Sequence, residues 1–177
     1  MKKTIDIILI ILIFLVIYFL QVNFFTWFNI AKIMPNLFII FIMMIGLFLK
    51  KDFGFFFGII FGLALDFFAG TRIGINSIAL GIVGLAAGIL EKNFSKDNRI
   101  TVLIITAILT FTFELIVYVL NIFFIGIVNI QILNFLKIIL LEVLYNDILI
   151  IIIYPVFSKF GNKLEEDFIN KGFLNFL

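Results

Sequence analysis

The chain has 177 residues, of which 64% are hydrophobic, 18% are aromatic and only 14% are charged, and its formal net charge is +2. Soluble domains carry about 45–50% apolar and about 25% charged residues, so this composition predicts an integral membrane protein. The absence of cysteine and histidine excludes disulfides, thiolate metal sites, thiol nucleophiles and histidine-dependent catalysis. A net charge of +2 is too small to indicate a nucleic-acid partner.

Apolar runs follow one another along the whole chain. A transmembrane helix needs roughly 20 mostly apolar residues, because the hydrocarbon core of a bilayer is about 30 Å thick. The third and fourth runs are the shortest, as expected for helices with little tilt or for helices sheltered inside a bundle. The sequence therefore predicts an all-α integral membrane protein, a six-transmembrane-helix bundle in a single domain (1–177), with spans at residues 5–22, 33–49, 53–68, 75–90, 100–120 and 136–157.

Two stretches outside these runs are more polar. Residues 121–135 carry asparagine, glutamine and glycine among apolar residues, which predicts an interfacial loop or else an extension of the fifth or sixth helix. Residues 158–177 combine three consecutive acids with phenylalanine, leucine and isoleucine, which predicts a short amphipathic tail on the cytoplasmic surface.

The basic residues lie mostly on one side of the predicted helices. The side that holds both termini has Lys2, Lys3, Lys50, Lys51, Lys92, Lys96, Arg99, Lys159, Lys163 and Lys171, and the other side has Lys32, Arg72 and Lys137. Because loops rich in lysine and arginine stay in the cytoplasm, both termini are predicted to be cytoplasmic, which requires an even number of spans. The first helix is predicted to be retained, since no small-residue cleavage site follows its apolar run.

Glycine is concentrated in the middle of the chain. In the third and fourth predicted helices, small residues recur every three or four positions, which places them on one helix face. Such faces let two backbones approach closely, so we expect them to pack these helices as a tight hairpin or, alternatively, to receive a partner helix. The residues of this candidate interface are Gly54, Gly58, Gly62, Asp66, Gly70, Gly74, Gly81, Gly84 and Gly88.

Acidic residues also fall inside the predicted helices, where an ionisable side chain costs roughly 2.5–3.5 kcal/mol on insertion scales. At about 1.5 Å per residue, Asp66, Glu114 and Glu142 lie about 20 Å from the cytoplasmic end of their spans. One interpretation is an intramembrane polar pocket, open to the outside, for a small cationic or polar ligand. The other is a set of separate acids, each bonded to nearby polar groups. The candidate pocket residues are Asp66, Glu114, Glu142 and Asn146.

No sequence feature indicates an enzyme. The chain lacks the motifs of proteases, P-loops and dinucleotide sites, and it has no closely spaced aspartates that would form a metal cluster. We therefore expect a non-enzymatic protein with no catalytic residues, no metal and no cofactor.

The order of motifs from the second to the fourth predicted helix resembles the MreD family, rod shape-determining membrane proteins of bacteria. The motifs begin with a Pro-x-Leu helix start at residues 35–37 and a short basic turn at residues 50–51. A Gly-x-x-x-Gly-x-x-x-Asp core at residues 58–66 follows, and then Gly70, Gly74 and a glycine-rich helix that ends at Gly88. The run at residues 144–155, which ends in Tyr154 and Pro155, is also similar to that family, and the length and the six-span topology agree.

That resemblance implies a component of the cell-wall elongation machinery in the bacterial cytoplasmic membrane. Members of the family associate with MreC, and through it with MreB filaments and with RodA and its penicillin-binding protein. The MreD fold is similar to that of the substrate-binding subunits of energy-coupling-factor transporters, so a vitamin-binding subunit of such a transporter is the alternative function. Besides these partners we expect contact with the lipid bilayer. A homo-oligomer is compatible with the sequence, and we expect no nucleic-acid partner.

Overall fold

The protein is all-helical, as predicted, in a computed structural model that describes residues 2–29, 33–68, 72–91, 98–125 and 132–166, with the side chains of these residues except 2–6, 125 and 132. In this part of the chain the helices are α1 (Lys2–Phe19), α2 (Leu37–Phe68), α3 (Ile75–Leu90), α4 (Arg99–Ile125) and α5 (Ile132–Glu165). α1 continues through a π-helical turn, Leu20–Phe24, and a 3₁₀ turn, Phe25–Phe28.

α2 contains a reversal of the chain. Lys50 has φ 75° and ψ 167°, which are not helical values, so the helix is broken at this residue. A Cβ at Gly54 would lie 2.8 Å from the Cα of Gly46, whereas residues eight apart in a continuous helix are separated by about 12 Å. The first arm of α2 (residues 37–49) and the second arm (residues 51–68) are therefore antiparallel neighbours.

The first arm of α2 is the centre of the bundle. All its residues are buried. α1 packs on it through Phe14, whose ring centroid lies 5.8 Å from that of Phe38. α5 packs on it through Phe157, whose ring centroid lies 5.6 Å from that of Phe48. A helix that is apolar all round is typical of a buried position in a bundle or of a membrane span.

The contacts at the two ends of the first arm set the directions of α1 and α5. Asn146 of α5 bonds to the backbone of Asn36 at the start of the arm, and Gly161 of α5 lies against the ring of Phe48 near its end. α5 therefore runs parallel to the first arm. α1 runs antiparallel to it, because Gln21, just after α1, bonds to the backbone at the start of the arm. The segments that meet at this start form the candidate site described below.

Two helical segments of the described residues are long and apolar enough to cross a bilayer, Ile7–Phe28 and Arg99–Phe124, and α3 is a shorter apolar helix. These helices agree with the membrane protein that the composition predicts. The count of six spans and the cytoplasmic position of both termini stay predictions.

The predicted loop at residues 121–135 is shorter in the structure. α4 runs to Ile125 and α5 begins at Ile132, so the prediction of a loop is wrong at both ends and the alternative of longer helices is right there. Asn121 does not end α4, because its Nδ2 donates back to the carbonyl oxygen of Val117 one turn earlier. Residues 126–131 lie outside the described residues.

The structure also differs at the start of the predicted cytoplasmic tail. Residues 158–165 continue α5 instead of forming a separate segment. Their apolar side chains recur at helical spacing and pack into the core, where Leu164 is 3% exposed. Pro155 lies inside α5 without ending it. Residues 167–177 of the tail lie outside the described residues.

Candidate functional site

The second arm of α2 and α3 are packed backbone to backbone. A Cβ at Gly58 would lie 2.7 Å from the carbonyl carbon of Leu80, and a Cβ at Gly62 would lie 2.6 Å from the carbonyl oxygen of Asn76. Real Cβ atoms do not approach backbone atoms so closely, so only glycine fits here without a shift of the helices. α3 covers this face of the second arm, which is the face that the sequence offered for close helix packing or for a partner helix.

The other glycines of the candidate interface differ in their surroundings. Close contacts between the second arm and α3 also involve Gly54, Gly84 and Gly88. Gly81 instead faces a side chain, since an added Cβ would lie 2.9 Å from Cγ1 of Ile59. Gly74 precedes α3 with φ 107°, a left-handed conformation that favours glycine. Gly70 lies outside the described residues.

Asp66 organises the start of α3. Its side chain is buried. The carboxylate accepts hydrogen bonds from the backbone N of Gly74 at 2.7 Å, from the backbone N of Asn76 at 3.2 Å and from Nδ2 of Asn76 at 2.8 Å. The first N–H groups of a helix have no partner within the helix and favour a nearby negative charge. Asp66 of the second arm therefore caps α3.

Amide side chains from two other helices hold the start of α2. Nε2 of Gln21 donates to the carbonyl oxygen of Pro35 at 2.7 Å, and Oε1 of Gln21 accepts from the backbone N of Leu37 at 3.0 Å. Oδ1 of the buried Asn146 accepts from the backbone N of Asn36 at 2.8 Å. These backbone groups have no partner within their own helix, so they are satisfied from outside it.

Asn146 also reaches α4. Its Nδ2 donates to Oγ1 of Thr110 at 3.0 Å, and both side chains are buried. One amide thus joins α5 to α4 and to the start of α2, as expected for a polar side chain that holds membrane helices together.

A cavity of about 430 Å³ lies beside these amides, and we call it the acidic cavity. It is bordered by the turn after α1, by both arms of α2 and by α3, α4 and α5. The polar residues of its lining are Gln21, Asn36, Asn76, Glu114 and Glu142, and apolar residues of its wall include Leu65, Leu80, Phe113 and Ile138.

Two carboxyl groups meet in the acidic cavity. Glu142, whose side chain is 6% exposed, hydrogen-bonds to the carboxyl of Glu114 and to the side chain of Asn36. In the part of the chain that the structure describes, no lysine or arginine interacts with either carboxyl. No group of three acids that could hold a metal ion occurs in the same ranges. Among the described residues, the lining of the cavity therefore includes two acids and three amides and no basic side chain.

Only two of the four residues of the predicted pocket line the cavity in the structure. Glu114 and Glu142 line the acidic cavity. Asp66 and Asn146 do not line it, and each instead holds an asparagine that does, through the contacts with Asn76 and Asn36 described above. Whether the cavity binds a ligand stays a prediction.

Sequence reasoning missed the three amide side chains that line this cavity. Gln21, Asn36 and Asn76 are single amides near the ends of apolar runs. An asparagine just before an apolar run is a helix-capping signal, and Oδ1 of Asn36 does accept from the backbone N of Phe38 at 3.2 Å. The spacing of these residues gives no sign that they share one cavity, because they belong to different helices.

Comparison with known protein families identifies the chain. The model of the family described as rod shape-determining protein MreD matches residues 1–164, which is most of the sequence. Neither the curated proteins nor the solved structures contain a match. The resemblance that the motifs indicated is therefore confirmed, and the chain belongs to the MreD family of rod shape-determining membrane proteins.

Proposed function

We propose that this protein is a non-enzymatic component of the cell-wall elongation complex in the bacterial cytoplasmic membrane, and that it binds MreC. The observation that carries the proposal is the family match over residues 1–164, since MreD proteins are structural components that determine rod shape. Through MreC the protein connects indirectly to MreB filaments and to RodA with its penicillin-binding protein.

The distribution of apolar surface supports a role in binding other membrane components. The first arm of α2 is buried, whereas α1 and the ends of α4 and α5 expose large apolar side chains, among them Leu12, Phe19, Phe123 and Leu133. In a bilayer such side chains contact lipid tails or the helix of a partner. The glycine face of the second arm is covered by α3, so we propose that MreC contacts the exposed helices instead.

Depletion of the protein in its host tests this function. We expect rod-shaped cells to become spheres and MreC to lose its peripheral localisation, because the elongation complex loses a membrane component. Affinity purification from native membranes should recover MreC with the protein. Rods of normal shape combined with a vitamin requirement would contradict the proposal and would support the transporter subunit.

The proposed multi-pass topology has its own test, based on the uneven distribution of lysine and arginine. Reporter fusions after Asn98 and after Ser158 should indicate the cytoplasm, and fusions near Thr71 and Asn129 should indicate the outside. If the fusions at Asn129 and Ser158 indicate the same side, the six-span arrangement is wrong.

A further inference from the structure

Asp147, an acid near the middle of α5, has no hydrogen-bond partner among the residues that the structure describes. Its Oδ1 is shielded from the surface and accepts no hydrogen bond. No charged side chain of the same residues interacts with the carboxyl. A buried polar atom without a partner is rare in native proteins and calls for an explanation.

This acid lies at the border of an exposed apolar face of α5. Leu144 and Ile151, one turn away on that face, are 58% and 60% exposed, whereas Asn146 and Ile150 on the other side are buried. Asp147 itself is partly exposed. Part of the carboxyl is therefore within reach of a group outside the protein.

In the proposed topology α5 crosses the bilayer. Asp147 is 15 residues from the first residue of α5 and 18 from the last, which corresponds to roughly 22 Å and 27 Å along the helix axis. Lipid headgroups at either membrane surface are therefore far from this carboxyl, and lipid tails have no hydrogen-bond donor.

A small hollow lies beside Asp147, in the seam between α4 and α5. Its volume is about 120 Å³, and its wall includes Leu103 of α4 and Ile150 and Ile151 of α5. The two isoleucines follow Asp147 by three and four positions, so they lie one helical turn from it. A hollow of this size suits one apolar side chain, since a cavity of about 150 Å³ holds a benzene molecule.

We propose that the part of the α4–α5 seam formed by Asp147 and this hollow, which we call the Asp147 seam, is where the transmembrane helix of a partner docks. The partner helix brings a hydrogen-bond donor to Asp147 and a large apolar side chain to the hollow, three or four positions nearer the cytoplasm. Ionisable residues inside membrane spans usually pair with another polar group, and hydrogen bonds between helices hold them together. This inference rests on the proposed function, in which the partner that binds the exposed helices is MreC.

A second copy of the chain suits the Asp147 seam less well. A contact between two copies around a two-fold axis brings the same surface of each copy together, so Asp147 of one would face Asp147 of the other. Two ionised carboxyls repel each other and supply no donor. Lipid tails could occupy the hollow, but they leave the carboxyl without a donor.

The first experiment measures how much MreC is recovered from native membranes per molecule of the full-length protein. Asp147→Leu should lower this recovery about tenfold, which is near the upper end for one interhelical hydrogen bond. Membrane abundance should stay at the wild-type value, because the carboxyl has no partner in the described part of the chain. Thr112→Leu is the control: it removes an exposed hydroxyl that donates to the carbonyl oxygen of Ile108 within α4, and it should leave the recovery unchanged.

A second pair of variants tests the hollow. Leu103→Phe adds volume to its wall and should also lower the recovery of MreC, because the hollow can then no longer receive a side chain. Ile104→Phe adds the same ring at an exposed neighbouring position that does not line the hollow, and it should not lower the recovery.

The second experiment keeps Asp147 and uses the absence of cysteine from the sequence. Leu144→Cys, labelled with a photoreactive maleimide, should crosslink to MreC in native membranes. Ile60→Cys, at an exposed position on the second arm of α2, should not.

The outcomes separate this inference from the proposed function. If the wild type recovers no MreC, the proposed function fails and the inference fails with it. If the wild type and Asp147→Leu recover MreC equally, the Asp147 seam is not the docking surface, although the proposed function stands. Crosslinks from Leu144→Cys only to lipid or to a second copy also overturn the inference. If Asp147→Leu does not fold, the crosslinks decide, because they are made with Asp147 in place.

Discussion

The hairpin of the second arm of α2 and α3 is held by backbone contact, whereas the hairpin of α4 and α5 is held by side chains. In the first, Gly58 and Gly62 bring the two backbones together without intervening side chains. In the second, Asn146 bonds to Thr110, and the two carboxyls of the acidic cavity bond to each other.

The difference shows two ways to join helices in a membrane. Lipid tails are as apolar as leucine, so apolar burial alone does not bring membrane helices together, and close packing and interhelical hydrogen bonds contribute instead. The hairpin of the second arm of α2 and α3, which we call the glycine hairpin, depends mainly on close packing. The α4–α5 hairpin depends mainly on interhelical hydrogen bonds. We therefore expect the glycine hairpin to be sensitive to added volume and the α4–α5 hairpin to be sensitive to the loss of a polar group.

The largest effect should follow from Gly58→Leu. The new side chain would displace the backbone of α3 at Leu80, so we expect a loss of about 3 kcal/mol in the free energy of unfolding and a strong drop in membrane abundance. Gly81→Ala is the control, because its added methyl group meets the side chain of Ile59, which can move. Wild-type abundance of Gly58→Leu would show that the two backbones are not in contact.

A smaller effect should follow from Asp66→Ala. The change leaves the N–H groups of Gly74 and Asn76 without their acceptor, so we expect a loss of about 2 kcal/mol, measured by thermal unfolding in detergent. Asp52→Ala, the removal of an exposed acid near the other end of the second arm, should stay within about 0.5 kcal/mol of the wild type. Equal stability of the two variants would show that Asp66 does not cap α3.

The smallest effects concern the α4–α5 hairpin. Asn146→Ala removes the bonds to Asn36 and to Thr110, and we expect a loss of about 1.5 kcal/mol. Thr110→Val keeps the shape and removes one bond, so it should cost only about 0.6 kcal/mol, a typical value for one interhelical bond in a membrane protein. The double variant should cost less than the sum of the two, because they share one bond. If the loss in the double variant equals the sum of the two single losses, Asn146 and Thr110 do not share a hydrogen bond.

The sequence by itself determined the features that depend on local composition and spacing. Long apolar runs can satisfy their backbone within a bilayer only as helices or closed barrels, and their length favours helices. The four-residue spacing of Gly54, Gly58 and Gly62 puts them on one face, where the structure places close backbone contacts. The motif order pointed to the MreD family, which the comparison confirms over residues 1–164.

Only the tertiary structure decided which helix is central and which polar groups meet. The first arm of α2 is buried throughout, while the second exposes Phe56 and Ile60. Asn36 and Asn146 are 110 positions apart and share a hydrogen bond, and the lining of the acidic cavity comes from the helices α2 to α5, the segment before α2 and the turn after α1. Helical periodicity says which residues share a face, but the pairing of faces depends on packing across the whole bundle, which no local pattern specifies.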